Sequence, residues 1–210
     1  MPLSLPDAVR ALNAGGIIIY PTETFFGIGC RADSEEALLR VFQIKRRPLG
    51  KPLPLILGSQ TQLALAVSVP DALAGDVEDL VRFWPGPLTL LLPAKDGLPA
   101  PLTAGTGVIA VRMSPHPVAQ ALAKQCGFPV VSTSANVSER PPVTSAAALD
   151  PDLLAALDPR RDGVIDLPPA PSGAQASTIV RPLGGRRLEL CRKGAFSALR
   201  LRETGFTLSC

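Results

Sequence analysis

The chain has 210 residues, 46% of them hydrophobic and 19% charged, which is material for one domain with a sizeable core. A net charge of +3 excludes a uniformly basic coat for nucleic acid, and seven phenylalanines, one tryptophan and one tyrosine are too few for a platform that stacks single-stranded bases. Apolar runs such as "GGIIIY" and "LTLLLPA" are too short to span a bilayer, and Asp7 and Arg10 interrupt the N-terminus, so a soluble, unprocessed, cytoplasmic chain is expected.

Leu5 to Asn13 reads as a helix closed by Gly15 and Gly16, and "IIIY" as a buried strand ending at Pro21. "TETFFGIGCRA" then reads as a loop with two glycines. Asp33 or Ser34 can cap a second helix, whose Leu38, Val41 and Phe42 form one apolar stripe and which ends before Pro48. Lys45, Arg46 and Arg47 therefore sit on its last turn. A strand at 53–57, helices near 60–67 and 75–83, and strands at 88–92 and 108–113 come next, followed by a helix from Pro117 to Cys126 closed by Gly127. "FPVVSTS" forms another strand, and beyond a proline-rich loop at 139–144 a short helix near 146–157 precedes strands at 164–167, 177–180 and 187–191. The alternation indicates an α/β or α+β fold on one twisted, mixed parallel and antiparallel sheet. There is no internal repeat, and the 23 prolines are spread too widely to mark a linker.

Several motifs can be set aside. Gly27, Gly29 and Ala32 match G-x-G-x-x-A, but loop residues separate them from the strand and the region about 20 residues on is basic where a ribose-binding acid belongs. No P-loop motif is present. Four cysteines at 30, 126, 191 and 210 show no CxxC spacing, and His116 is the one histidine, so neither a zinc site nor a disulfide scaffold is indicated. His116, between prolines in "SPHP", is assigned structural or solvent-facing duty.

Three other stretches keep their interest. Cations at 45–47 meet the helix dipole, a contribution of about 0.3 to 1 kcal/mol that needs no ligand. That account does not reach Lys51, which lies beyond the helix between Gly50 and Pro52, where a loop turning back brings another positive charge toward the same volume. In "VVSTSAN" an apolar strand gives way to Ser132, Thr133, Ser134 and Asn136, either as turn formers or as neutral donors at a strand end, where α/β proteins hold ligands. Arg112 ends the apolar strand "VIAVRM", a costly place for a charge unless it is paired or faces a polar cleft. Donors at several element ends, with few acids, suit a polyanion.

These blocks, "YPTETFFGIGC", "IKRRPLGKPLPLIL", "FWPGPLTLLLPA", "VIAVRM" and "VVSTSANVSERPPVT", resemble in residues and in order the YrdC/TsaC family of L-threonylcarbamoyladenylate synthases over nearly the whole chain to about residue 194. The resemblance implies a single YrdC-like catalytic domain at 1–194, a short tail at 195–210, and helices flanking a basic central cavity. Longer relatives carry an additional C-terminal domain that this sequence is expected to lack. It implies a K-x-R and S-x-N signature of Lys45, Arg47, Ser134 and Asn136. By the same resemblance Arg47, Lys51, Asn136, Thr144 and Arg192 would hold ATP, and Thr24, Arg112, Ser134 and Ser177 would hold threonine or its carbamate. Lys45 would assist at the phosphates.

The implied reaction joins L-threonine, bicarbonate and ATP into threonylcarbamoyl-AMP with release of pyrophosphate, Mg²⁺ riding on the ATP phosphates. Downstream proteins would move the threonylcarbamoyl group to the tRNA adenosine beside the anticodon, with room for weak tRNA or RNA contact. Departures are Lys51 where some relatives have asparagine, Ile56 in place of a histidine, and Glu139 where glycine is usual. Two other readings of a basic cavity stand beside this one. They are a non-catalytic module that binds double-stranded RNA or tRNA, and carbamoyl-adenylate synthesis for another acceptor.

Overall fold

Ser4 caps helix α1 (Leu5–Asn13) by accepting a hydrogen bond from the Asp7 N–H, and Pro6 falls in the first turn, where its missing N–H costs nothing. This computed structural model describes residues 2–173 and 175–209; Met1, Ala174 and Cys210 lie outside the described residues. After α1 come β1 (Ile18–Pro21), β2 (Phe26–Gly29), α2 (Glu35–Lys45) and β3 (Leu55–Ile56). A 3-10 turn at Gln60–Gln62 runs into α3 (Leu63–Ala66), followed by α4 (Asp71–Val81), β4 (Leu88–Pro93), α5 (Ala100–Thr103), β5 (Val108–Arg112) and α6 (Pro117–Gln125). The remainder forms β6 (Val130–Val131), β7 (Thr133–Ser134), a 3-10 turn at Ala146–Ala148, α7 (Pro151–Ala155), β8 (Gly163–Val164), β9 (Thr178–Gly184), β10 (Arg187–Arg192), α8 (Ala198–Glu203) and β11 (Thr207–Ser209).

The mixed α/β expectation holds, with the strands divided between two sheets. The smaller has the order β7-β2-β1-β8 and the larger β11-β10-β9-β4-β5-β3-β6, and each combines parallel and antiparallel pairs. The run at β1 is apolar throughout because both of its faces are covered. Ile17 and Ile19 enter the main core with Leu38 and Phe42, while Ile18 and Tyr20 enter a second core with Leu12, Val118 and Leu122.

The one sheet expected is two, and three further expectations are corrected. The "TETFFGIGCRA" loop contains β2, whose glycines hid it; a Cβ on Gly29 would lie 1.6 Å from the Val131 carbonyl oxygen, so only glycine lets these chains cross. "FPVVSTS" is two strands in different sheets. β6 pairs with β3 in the larger, β7 pairs with β2 in the smaller, and Ser132 is the one residue between them. The helix expected near 146–157 is interrupted and begins its α-helical part at Pro151. Residues past 194 form α8 and β11, the latter parallel to β10, and Arg186 holds them by lying 4.4 Å over the Phe206 ring while donating to Asp79 at 2.7 Å.

Glu139 adopts φ +72, the left-handed region that β-carbons disfavour. Glu139→Gly is expected to stabilise the protein by about 1 kcal/mol, read as a higher urea midpoint; a lower midpoint would mean the side chain contributes more than its backbone conformation costs. Among the described residues no helix is long and apolar enough to cross a membrane.

Candidate functional site

Where the two sheets part, the chain leaves a cavity of about 310 Å³. The smaller sheet supplies Thr22, Thr24, Gly27, Thr133 and Ser134 to its wall; the larger supplies Thr89 from β4, Arg112 from the end of β5 and Arg192 from the end of β10. Ser132, between the sheets, Arg47, just past α2, and Ser177, just before β9, complete the polar lining. Three guanidinium groups and a row of hydroxyls face this space, and among the described residues no carboxylate lines it. The electrostatics favour an anion.

Each arginine is held by its neighbours. The Arg47 Nη2 donates to the Pro52 carbonyl at 2.8 Å and its Nε to that of Lys51 at 3.3 Å, so the loop after α2 does turn back on itself. Arg192 donates from Nε and Nη2 to the Ser177 carbonyl at 3.0 and 2.9 Å and from Nη2 to Ser177 Oγ at 3.1 Å. Ser177 Oγ also shares a 2.8 Å hydrogen bond with Thr89. Burial, followed by the charge of Arg112, lowers the proton affinity of Arg192. Like charges thus share the hollow, and an arriving anion relieves both burial and repulsion.

Arg112 is paired, as its position at the end of an apolar strand demands, with Glu23. The second Glu23 oxygen accepts from Ser114 Oγ at 2.5 Å. Burial pushes the Glu23 carboxyl up, but the charge and hydrogen bond of Arg112, with Ser114, outweigh it and hold the group below its ordinary range.

Lys45 is 1% exposed and does not line the cavity. Its ammonium lies behind the wall, donating to the Ser134 carbonyl, to the Asn136 carbonyl at 2.6 Å and to Asn136 Oδ1 at 3.5 Å. Burial, with a smaller push from Arg47, brings its pKa down to about 7. Asn136 is likewise buried, and its Nδ2 donates to the Val137 carbonyl at 3.0 Å and to that of Arg140. The S-x-N turn is therefore braced from inside.

Of the residues singled out in the sequence, Thr24, Arg47, Arg112, Ser134, Ser177 and Arg192 converge on one cavity, with Lys45 and Asn136 directly behind it. Lys51 lies in the exposed turn held by Arg47, and Thr144 borders an adjoining hollow of about 320 Å³, which shares Phe26 with the first. His116 is buried and not solvent-facing. Its Nδ1 accepts from the Val118 N–H at 3.2 Å, capping α6, and its Nε2 meets the Pro169 carbonyl at 2.7 Å, which fixes the Nε2–H tautomer. Ser132 and Thr133, noted in the sequence as donors at a strand end, also line the cavity, whereas sequence reasoning missed Thr22, Thr89 and Glu23. The sequence called for a partner to Arg112, since a charge ending a buried strand is costly alone, but did not say which residue it is.

Among the described residues, no group of three or more His, Cys, Asp and Glu side chains is placed to hold a metal ion. Cys30, Cys126 and Cys191 are free thiols, and Cys210 lies outside the described residues.

The protein-family model Sua5_yciO_yrdC, described as telomere recombination, matches residues 10–194. A threonylcarbamoyl-AMP synthase of Xanthomonas axonopodis pv. citri (strain 306) is 43% identical over 164 residues, covering 78% of this chain and 86% of the relative. The crystal structure of P. abyssi Sua5 complexed with L-threonine matches with a TM-score of 0.86 and 30% identity, over 98% of this chain; the chain spans 58% of that protein. E. coli YciO matches with a TM-score of 0.70 at 23% identity, a likeness of fold, over 92% of this chain and 90% of its own.

Proposed function

The chain belongs to the Sua5–YciO–YrdC family, and on that footing we propose that it is an L-threonylcarbamoyladenylate synthase, a nucleotidyltransferase acting at the cavity between the sheets. The observation that carries the reading is the cavity lining itself, three guanidinium groups and many hydroxyls without a carboxylate. In this reading residues 1–194 form the catalytic unit, and the reaction takes place in the cytoplasm.

The chemistry asks for such a wall. The threonine amine bonds to the carbon of bicarbonate with loss of water, giving a carbamate. A carbamate oxygen then attacks the α-phosphorus of ATP as the bond to the β-phosphate oxygen breaks, and pyrophosphate leaves. Nucleophile and electrophile are both anionic, so repulsion is a main obstacle. Preorganised donors at developing charge are worth roughly 3 to 4 kcal/mol each. Because the nucleophile arrives as an anion, no strong general base is required.

Arg47 and Arg192 hold the triphosphate, with Lys51 and Thr144 extending the nucleotide site. Arg112 takes the threonine carboxylate, and Thr24, Ser134 and Ser177 place its remaining polar groups. Lys45 and Asn136 keep the Ser134 turn in register. A wall without carboxylates offers no cage for a resident metal, so Mg²⁺ enters as part of the ATP complex, held by phosphate and water. Downstream proteins carry the product's acyl group to tRNA.

The test is incubation with ATP, L-threonine and bicarbonate, each omitted in turn, with detection of the adenylate and of pyrophosphate. Product is expected only from the complete mixture. Pyrophosphate release that is indifferent to threonine would sink the assignment.

A further inference from the structure

We propose that Glu23 is a positioning residue of the amino-acid subsite, fixing the Arg112 guanidinium at the cavity wall and tying it to the segment that leads into Ser177. The inference rests on the functional reading above and deepens it. Glu23 does not itself line the cavity.

The side chains of the Arg112–Glu23 pair are 12% and 16% exposed, so the pair is largely shielded from water. Glu23 takes one end of the arginine fork through Nη1, which leaves the far end for the carboxylate of a ligand. The same residue is a junction. Ser114 Oγ, which donates to Glu23, accepts from the His116 N–H at 3.1 Å, and the His116 ring meets the Pro169 carbonyl. From the other side the Glu23 carbonyl accepts from the Ser172 N–H at 3.2 Å and from Ser172 Oγ at 2.8 Å. The Gly173 N–H donates to the Thr24 carbonyl at 3.0 Å, bringing the strap to the next residue of the site. A closed circuit of hydrogen bonds thus runs from Arg112 through Glu23 to 169–173.

The pairing also divides labour among the arginines. Among the described residues no acid pairs with Arg47 or Arg192, which suit phosphate, whereas Arg112, offset by Glu23, suits a singly charged carboxylate. Loss of the acid would free the guanidinium to rotate and would blur that distinction.

Steady-state kinetics of wild type, Glu23→Gln and Glu23→Asp, with threonine and ATP varied separately, test the proposal. Glu23→Gln is expected to raise the threonine KM roughly ten- to a hundredfold, the span of one charge-assisted hydrogen bond, while the ATP KM stays within about twofold. Glu23→Asp should recover part of the loss, and calorimetric L-threonine binding should follow the same order. Should Glu23→Gln fail to fold, Ser114→Ala removes a single donor to Glu23 and is expected to raise the threonine KM by a smaller factor. An unchanged threonine KM in an active variant, or an equal rise in both KM values, overturns the proposal alone. A wild-type enzyme inert in the omission assay overturns the functional reading, and this inference with it.

Discussion

Lys45→Met is expected to lower threonine-dependent pyrophosphate release by about a hundredfold or more, and to lower the unfolding midpoint as well. The ammonium donates to Ser134 and Asn136 from within the protein, so its loss takes a donor from the Ser134 carbonyl, which keeps the Asn136 N–H, and from the buried Asn136 carbonyl and Oδ1. The turn it braces presents Ser134 to the cavity, and a small displacement there is enough to spoil preorganised donors. Methionine keeps the apolar stem, so the comparison isolates the charge. The pKa of about 7 adds a second signature. Between that value and the unfolded lysine pKa of about 10.4, the unfolded chain binds a proton that the folded chain does not, so wild-type stability rises with pH across the window. Urea unfolding at pH 7 and pH 9.5 should show this slope in wild type and its loss in Lys45→Met. Full turnover by the variant would mean that the turn holds its shape without the ammonium.

Arg47→Ala should cut kcat/KM for ATP by about 10²- to 10³-fold with the fold retained. Arg47 is only partly buried, so its removal leaves no sealed void, but it gives up a cavity-facing guanidinium and the two hydrogen bonds that pull residues 51 and 52 back toward the site. Arg47→Lys should restore little, because an ammonium cannot span two carbonyls and a phosphate as a planar fork does. The threonine KM should change far less than that for ATP. Near-normal ATP kinetics in Arg47→Ala would remove this arginine from the nucleotide site.

Much of the architecture was readable where local preference and burial agree. α1, α2 and α6 are announced by their caps and stripes, and β1 by a run that both cores require to be apolar. Reading failed where a long-range contact decided the outcome. β2 carries a glycine at 29 because the Val131 backbone passes within touching distance, information that no local window contains. The hydroxyl-rich end of "VVSTSAN" was legible as turn formers or donors at a strand end, but its division between sheets depends on partners 74 to 107 residues away in sequence. The Lys45 ammonium donates to the Ser134 and Asn136 carbonyls, contacts that its position on a helix does not announce. That Arg47, Arg112 and Arg192 share one site was implied by the family resemblance alone, whereas the pairing of Arg112 with Glu23 needed three dimensions.

The crossing at Ser132 makes that stretch intolerant of indels. Two residues pair in one sheet, one residue spans the gap, and two pair in the other, so there is no slack to absorb an added or deleted amino acid. A change of one would exchange inward and outward faces along Thr133 and Ser134 and alter which hydroxyls meet the cavity. Chain length in homologous proteins should therefore drift through the bends near 139–173 and stay constant between Val130 and Ser134.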